Sequence, residues 1–368
     1  MGLVSSTLFA QIVKELLCIL RDPRTRVVLI GPPIAQLLIF SFAATLEVQN
    51  ATLAVLDRDQ GRWGQEFVAE LAASSFVGRV IPVGSRAALE GAIDRREALL
   101  GIDLPDDFSR DLAAGRPAPL QVIVDGRRAN AGQVSLGYVQ AIATNLGARA
   151  TGASPADALA VRNWYNPNLN YRWFVVPSLT GILSMLTALV ITSLSIARER
   201  EMGTFDQLLV SPATPTEIIT AKIVPALIIG TLLGNVMVAA AVFAFGVPFT
   251  GSYALLLVAM LLFILSVVGI GLMISSICNT QQQAILGTFA AAVPMILMSG
   301  FATPVENMPQ PLQWLSNAIP LKHFLIVVQG TFLKALPPAE VAGLLWPMAL
   351  IALVTLPAAG VFVRARLQ

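Results

Sequence analysis

Apolar residues run along this chain in long blocks bounded by charge, not in the short alternations of a soluble protein. An ionised side chain at bilayer depth costs roughly 2.5–3.5 kcal/mol even on insertion scales, so stretches free of Asp, Glu, Lys and Arg mark the expected membrane spans. Residues 27–46 form one such stretch of 20, 173–197 one of 25 and 341–363 one of 23. A fourth, 223–305, runs for 83 residues between Lys222 and Glu306. At about 20 residues per crossing, this last block holds three spans. Turn signals divide it at Gly246-Val247-Pro248 through Gly251-Ser252, and again at Cys278-Asn279-Thr280 with Gln281, Gln282 and Gln283. The pattern predicts an α-helical polytopic membrane protein with six transmembrane helices. A cleavable leader is the rival reading of the first block, but 20 residues exceed the usual leader core of about 7–15.

An even number of spans puts both termini on one side. With the termini cytoplasmic, Lys14, Arg21, Arg24, Arg26, Arg198, Arg200, Lys222, Arg364 and Arg366 all lie inside, while the short outer segments hold only Lys322 and Lys334. The other basic residues sit in one long segment, and long translocated domains are exempt from the positive-inside count. Trp164, Tyr165, Tyr171, Trp173, Trp314 and Trp346 then fall near the outer interface, where amphipathic rings settle.

Between and beside the spans the periodicity changes. Residues 1–26 contain a helical repeat over 5–21, with Phe9, Ile12, Val13, Leu16, Leu17 and Leu20 opposite Gln11, Lys14, Glu15 and Cys18. This predicts an interfacial helix on the inner surface, ended at Asp22-Pro23. Segment 47–172 carries 13 basic and 14 acidic residues, an ordinary soluble composition. Short β-rich runs at Thr52–Leu56, Val80–Val83, Leu99–Leu104 and Leu120–Val124 alternate with helical stretches at Gln65–Ala73, Ser85–Arg96 and Phe108–Ala114. A longer helix is expected over about Asn130–Arg149. The segment reads as an inserted small α/β extracytoplasmic domain. Within 173–368, a five-span region, the prolines of 303–340 exclude a full crossing and predict short interfacial or re-entrant helices.

The cytoplasmic loop 198–221 is the one inner loop with room for structure. Met202, Phe205, Leu208 and Leu209 form an apolar stripe at helical spacing, stopped by Ser211-Pro212. Thr214, Pro215 and Glu217 then supply a cap, a proline at the first helical position and a capping-box acid. Two short helices in a bent arrangement are expected. The stripe needs burial, either against the inner ends of the spans or against a partner protein.

Composition narrows the chemistry. Of 368 residues 55% are hydrophobic and 12% charged, with a net charge of +2, which excludes a nucleic-acid field. Two cysteines and one histidine leave little for metal or thiol chemistry. No Gly-x-x-x-x-Gly-Lys-Ser/Thr phosphate cradle is present, so the chain reads as a non-enzyme with no catalytic residues. His323 is read as structural. The polar groups inside the spans are neutral, among them Gln36, Thr187, Asn235 and Thr288, whereas proton-coupled carriers place an ionisable group there. Gly181, Ser184, Gly230, Gly234, Gly269 and Gly271 suit close helix packing. Met237, Met273, Met295 and Met298 read first as core.

A family resemblance follows from these residues. The run Arg198 to Pro212, with Arg-Glu-Met-Gly-Thr-Phe-Asp-Gln-Leu-Leu and a closing Ser-Pro, resembles the inner loop of type-2 permeases of ATP-binding cassette (ABC) exporters, which reads close to E-R-G-T-x-E-x-L-x-x-x-P. Ser299-Gly300-Phe301-Ala302-Thr303-Pro304 to Met308-Pro309 is similar to that family's outer S-G-F-x-x-P-x-x-x-M-P block. Trp164-Tyr165-Asn166-Pro167 and the domain after the first span resemble the subgroup with a large extracytoplasmic insertion. Met202 stands where Arg is common, and Asp206 replaces the usual Glu.

The resemblance implies a multi-pass permease of the bacterial inner membrane that dimerises with itself or a relative. It also implies a separate cytoplasmic ABC ATPase that holds ATP and Mg, no cofactor on this chain, and contact with lipid. A periplasmic adaptor is a further partner it admits. Glu201, Met202, Gly203, Thr204, Phe205, Asp206, Leu208 and Leu209 would form the ATPase-coupling element. Gln36, Asn235, Met295 and Met298 are the candidate path for a drug-like or lipid-like substrate. An ATPase-independent carrier or channel, and a receptor acting through its outer domain, are the competing readings.

Overall fold

The computed structural model describes residues 6–43, 48, 50–152, 164–167, 170–204 and 214–367. The chain divides into two compact units, Met1–Ala44 with Arg172–Gln368, and Thr45–Tyr171.

The first unit is helical. Its long elements are α1 (Ser6–Arg21), α2 (Pro23–Ala43), α7 (Arg172–Glu201), α8 (Pro215–Ala239), α9 (Tyr253–Ile277), α10 (Gln281–Leu297) and α13 (Pro338–Leu367). Six of these, α2 and α7–α10 with α13, fall on the four charge-free blocks, α8, α9 and α10 sharing the longest. Four are long and apolar enough to cross a membrane, namely α7, α8 with its π-helical extension to Ala244, α9 and α13. In α2 the apolar window is confined to Leu29–Ser41, and α10 has 17 residues, about 25 Å at 1.5 Å per residue. Both carry internal proline, at Pro32-Pro33 and Pro294.

Helix α7 is the hub, buried along most of its length and packed by α2, α8, α9, α10 and α12 (Pro320–Leu333). Small residues make this possible. A Cβ on Gly181 would strike Phe324, one on Gly234 would strike Met260 and Ser184, and one on Gly271 would overlap Thr192, the close-approach role expected of small residues between membrane helices. Phe263 of α9 and Phe324 of α12 stack with ring centroids 4.4 Å apart. The segment after α10 is broken as its prolines require, into α11 (Gln310–Ser316) and the mostly buried α12. His323 is buried there with Nε2 2.9 Å from the Asn317 carbonyl.

The second unit is α/β. Strands β1 (Ala51–Asp57), β2 (Val77–Pro82), β3 (Leu100–Leu104) and β4 (Gln121–Val124) form one sheet in the order β2-β1-β3-β4. The first three are parallel, with Leu53 opposite Val80 and Leu100, and β4 runs antiparallel to β3. Helices α3 (Arg62–Ala73), α4 (Arg86–Asp94), α5 (Phe108–Ala113) and α6 (Ala129–Thr151) connect or cover the strands. Both faces of β1 and β3 are buried, which explains their continuous apolar runs. One core gathers Leu53, Phe67, Leu71, Ile102, Leu104 and Leu146, and a smaller one holds Ala54, Leu56 and Leu89. The Ser109 hydroxyl accepts hydrogen bonds from the Trp63 and Gly64 amides at 3.0 and 3.1 Å, closing the start of α3.

Phe67 is fully buried, so Phe67→Ala is expected to cost about 3–5 kcal/mol of this unit's stability. Limited proteolysis of the full chain should cut within 51–151 far sooner in the variant, while cleavage in the helical unit stays unchanged.

Candidate functional site

The connection between α7 and α8 is rooted more deeply than its sequence suggests. α7 continues through Glu201, and α8 starts at Pro215. Arg198, Glu199 and Arg200 are therefore helical, not loop, and the expected short second helix is the first part of α8. The capping box is made as predicted, with Thr214 Oγ1 accepting from the Glu217 amide at 3.3 Å and Glu217 Oε2 accepting from the Thr214 amide at 2.8 Å. At the other end Gly203 adopts a left-handed φ of 68°. The Thr204 amide bonds the Glu199 carbonyl at 2.9 Å and the Gly203 amide bonds that of Arg200 at 3.1 Å, a Schellman closure that needs glycine at this position. Of the predicted coupling residues, Glu201, Met202, Gly203 and Thr204 form this exit turn, with Met202 exposed. Phe205, Asp206, Leu208 and Leu209 lie outside the described residues.

Three consecutive side chains at the end of α7 tie it to different neighbours. Arg200 donates to the carbonyls of Ser276 and Cys278 at 2.8 and 3.1 Å. The Glu201 carboxylate accepts from the Gln281 amide at 2.6 Å. Both contacts grip the turn between α9 and α10. Glu199 faces the opposite way, into a cluster of ions. It is 5% exposed and bonds Lys222, 4% exposed, at 2.9 Å. Lys222 also donates to Glu15 at 3.3 Å and to the Ser195 hydroxyl at 3.1 Å, using all three of its protons. Lys14 adds a bond to the second oxygen of Glu199 at 3.1 Å. Burial alone would lower the Lys14 proton affinity, but Glu199 and Glu15 outweigh it and hold this ammonium above the ordinary lysine range. One step away, Arg198 lies 3.9 Å from Asp22 at the α1–α2 junction.

The cluster gives the polar face of α1 its partners. The helix is amphipathic as predicted, and Lys14 and Glu15 dock its polar side onto α7 and α8, while Phe9, Leu17 and Leu20 stay exposed. Beside the ions a cavity of about 370 Å³ opens between α1, α2, α7 and α8.

The positive-inside count puts Lys222 among the cytoplasmic basic residues and carries no sign of its burial. A buried pair leaves no separate mark in composition, because each partner hides the cost of the other. The nearest signal was the spacing of Lys14 and Glu15 on one helical face.

The proposed path residues do not share one helix or one contact. Gln36 is half-buried on α2, and Asn235 on α8 donates to the Thr231 carbonyl at 2.9 Å and accepts from the Tyr253 hydroxyl at 2.6 Å. Met295 is buried on α10, with Met298 at its end. Among the described residues no group of His, Cys, Asp and Glu is arranged to hold a metal. Cys18 and Cys278 are both free thiols.

A profile for the ABC-2 family transporter protein matches residues 26–361. The chain belongs to this ABC-2 transporter family. The permease is 44% identical over 364 residues to a protein of Escherichia coli K12 named probable multidrug ABC transporter permease YbhR, across 98% of this chain and 99% of that one. It is 29% identical over 331 residues to probable multidrug ABC transporter permease YbhS of the same organism, across 87% of each. Inner membrane transport permease YhhJ, also of Escherichia coli K12, is 29% identical over 310 residues, covering 80% of this chain and 82% of YhhJ. The ABC-2 permease is accordingly a multi-pass inner-membrane component and not a nucleotide-binding subunit.

Removing one member of a buried ion pair leaves the other uncompensated, at about 3–5 kcal/mol. Lys222→Met should lower the thermal unfolding temperature of the permease in detergent, and the double replacement Lys222→Met with Glu199→Gln should recover most of the loss.

Proposed function

We propose that this permease is the membrane half of an ATP-driven exporter, moving an amphipathic or hydrophobic molecule from the cytoplasm or inner leaflet outward. ATP and Mg reside on a separate cytoplasmic ABC ATPase, and the permease acts as a dimer with itself or a relative. The YbhR and YbhS names supply the multidrug reading of the substrate. In this reading both termini are cytoplasmic, and the unit Thr45–Tyr171 lies on the outer side, where it is available to a periplasmic adaptor.

The observation that carries the proposal is the rooting of the hairpin. A loop that only joined two spans would need neither a buried ion cluster nor a clamp on the next inner turn. Here residues 199–201 bind α1, α8 and the α9–α10 turn at once. A force applied to the hairpin therefore reaches four helices besides α7. The apolar stripe of Met202, Phe205, Leu208 and Leu209 supplies the surface for an ATPase to cover. Outward motion of the helices then opens a path lined by neutral and apolar side chains, for which Gln36, Asn235, Met295 and Met298 are the first candidates.

Phe205→Asp with Leu208→Asp should abolish co-purification of the ATPase and the permease-dependent part of its turnover, with the permease itself still folded by gel filtration. A complex and turnover that survive both charges would remove the coupling role from this stripe.

A further inference from the structure

The two sides of the hairpin root differ in packing, and the difference assigns them different mechanical roles. On the α9–α10 side the contacts are close. The Ser275 hydroxyl accepts from the Ile196 and Ala197 amides at 3.0 and 3.2 Å, and Leu194, Ala197 and Ala284 close a buried cluster. Thr288 of α10 donates to Ser193 of α7 at 2.7 Å. A Cβ on Gly271 would overlap Thr192, and one on Gly287 would come within 2.9 Å of Ile274. Interfaces packed this closely transmit displacement without repacking.

The α1–α8 side has both room and a joint. The cavity of about 370 Å³ is lined there by Ile19, Leu29, Leu194, Ala221 and Pro225 among others. Pro225 has no N–H to give the Ala221 carbonyl, so α8 lacks a backbone hydrogen bond inside the cavity wall, where helices bend most readily. Deeper in the bundle, α8 is pinned again at Gly230, whose Cβ would meet Ile264 at 3.3 Å and Ala188 at 3.6 Å. The first turns of α8 thus lie between this joint and the cavity. Its ammonium, on Lys222, lies between carboxylates of two different helices, 2.9 Å from Glu199 and 3.3 Å from Glu15.

We propose that Lys222 is a positioning residue for coupling: when the hairpin is driven, the inner segment of α8 swings about Pro225 into the cavity, carrying α1 with it through the Glu15–Lys222–Glu199 bridge, while the α9–α10 turn travels rigidly with α7. This rests on the exporter reading above. An ammonium held by two carboxylates keeps an ionic partner as the helices shift, so the motion never exposes an unpaired buried charge.

The two native cysteines report on the two sides separately. Cys18 is exposed at the edge of the cavity, and Cys278 lies on the close-packed turn beneath Arg200. Burial pushes the Cys278 thiol up, so each thiol is compared only with itself at one pH. In the permease–ATPase complex, Cys278→Ser and Cys18→Ser variants are labelled with N-ethylmaleimide, first without nucleotide and then after trapping with ATP and vanadate. Trapping should slow Cys18 labelling several-fold and leave Cys278 labelling unchanged. Lys222→Arg should keep the Cys18 response, and the double Lys222→Met, Glu199→Gln should lose it while the ATPase still co-purifies. A Cys18 rate indifferent to trapping, an equal response from Cys278, or an undiminished response in the double variant would overturn the proposal. So would a double variant that no longer holds the ATPase, since the pair would then shape the docking surface itself. A wild-type permease that binds no ATPase at all would instead defeat the exporter reading on which the proposal stands.

Discussion

A charge inside an apolar bundle must bring its own counter-charge, and the end of the helical unit where α1, α7 and α8 meet is organised around that requirement. Lys222 and Glu199 are almost fully buried, and each satisfies the other while Glu15 and Lys14 of α1 complete the set. Net stability is a poor reason for such an arrangement, since well-packed apolar residues often serve as well. What ions supply is register. Apolar surfaces tolerate sliding by a fraction of a turn, but a carboxylate and an ammonium do not separate without cost in a dry site. The cluster therefore keeps α1, α7 and α8 joined at the place where the hairpin enters and leaves.

The same solvent logic explains α1. In water, an amphipathic helix turns its apolar stripe inward. At a membrane the lipid is the apolar solvent, so Phe9 and Leu20 are exposed while Glu15 docks on Lys222. Sequence periodicity reports that two faces exist and is silent on which one the protein covers, because hydrophobicity alone does not say what lies outside. The charge-free blocks were more informative, since the cost of a charge at bilayer depth is large and local. They located the six long apolar helices α2, α7–α10 and α13, and the strands and helices of the α/β unit were legible to within a few residues from alternation and turn chemistry.

Where the reading of the sequence fell short, the cause was long-range pairing. Glu199 and Lys222 are 23 positions apart, and Glu15 and Lys222 are 207 apart. No local pattern joins them, and the charge pattern alone puts Arg198, Glu199 and Arg200 in a loop where α7 continues through Glu201. The Thr214 to Glu217 capping box was legible because it is local. Gly203 was visible only as part of a motif, although its left-handed φ is the physical reason that α7 ends there.

Unequal packing gives the root of the hairpin a direction. A force entering at Gly203 meets a close-packed contact on one side and a void on the other, and mechanical work flows to whichever contact does not yield. Ser275, Thr288 and the glycines at 271 and 287 make the α9–α10 contact stiff, whereas Pro225 and the neighbouring cavity make the start of α8 compliant. A uniformly tight root would move as a single body and could not change the separation of its helices. A uniformly loose one would dissipate the push locally. Rigidity on one side and compliance on the other, joined by ions that keep their partners as they shift, is the combination that the proposed coupling needs for one hairpin to alter the spacing of spans that it does not itself touch.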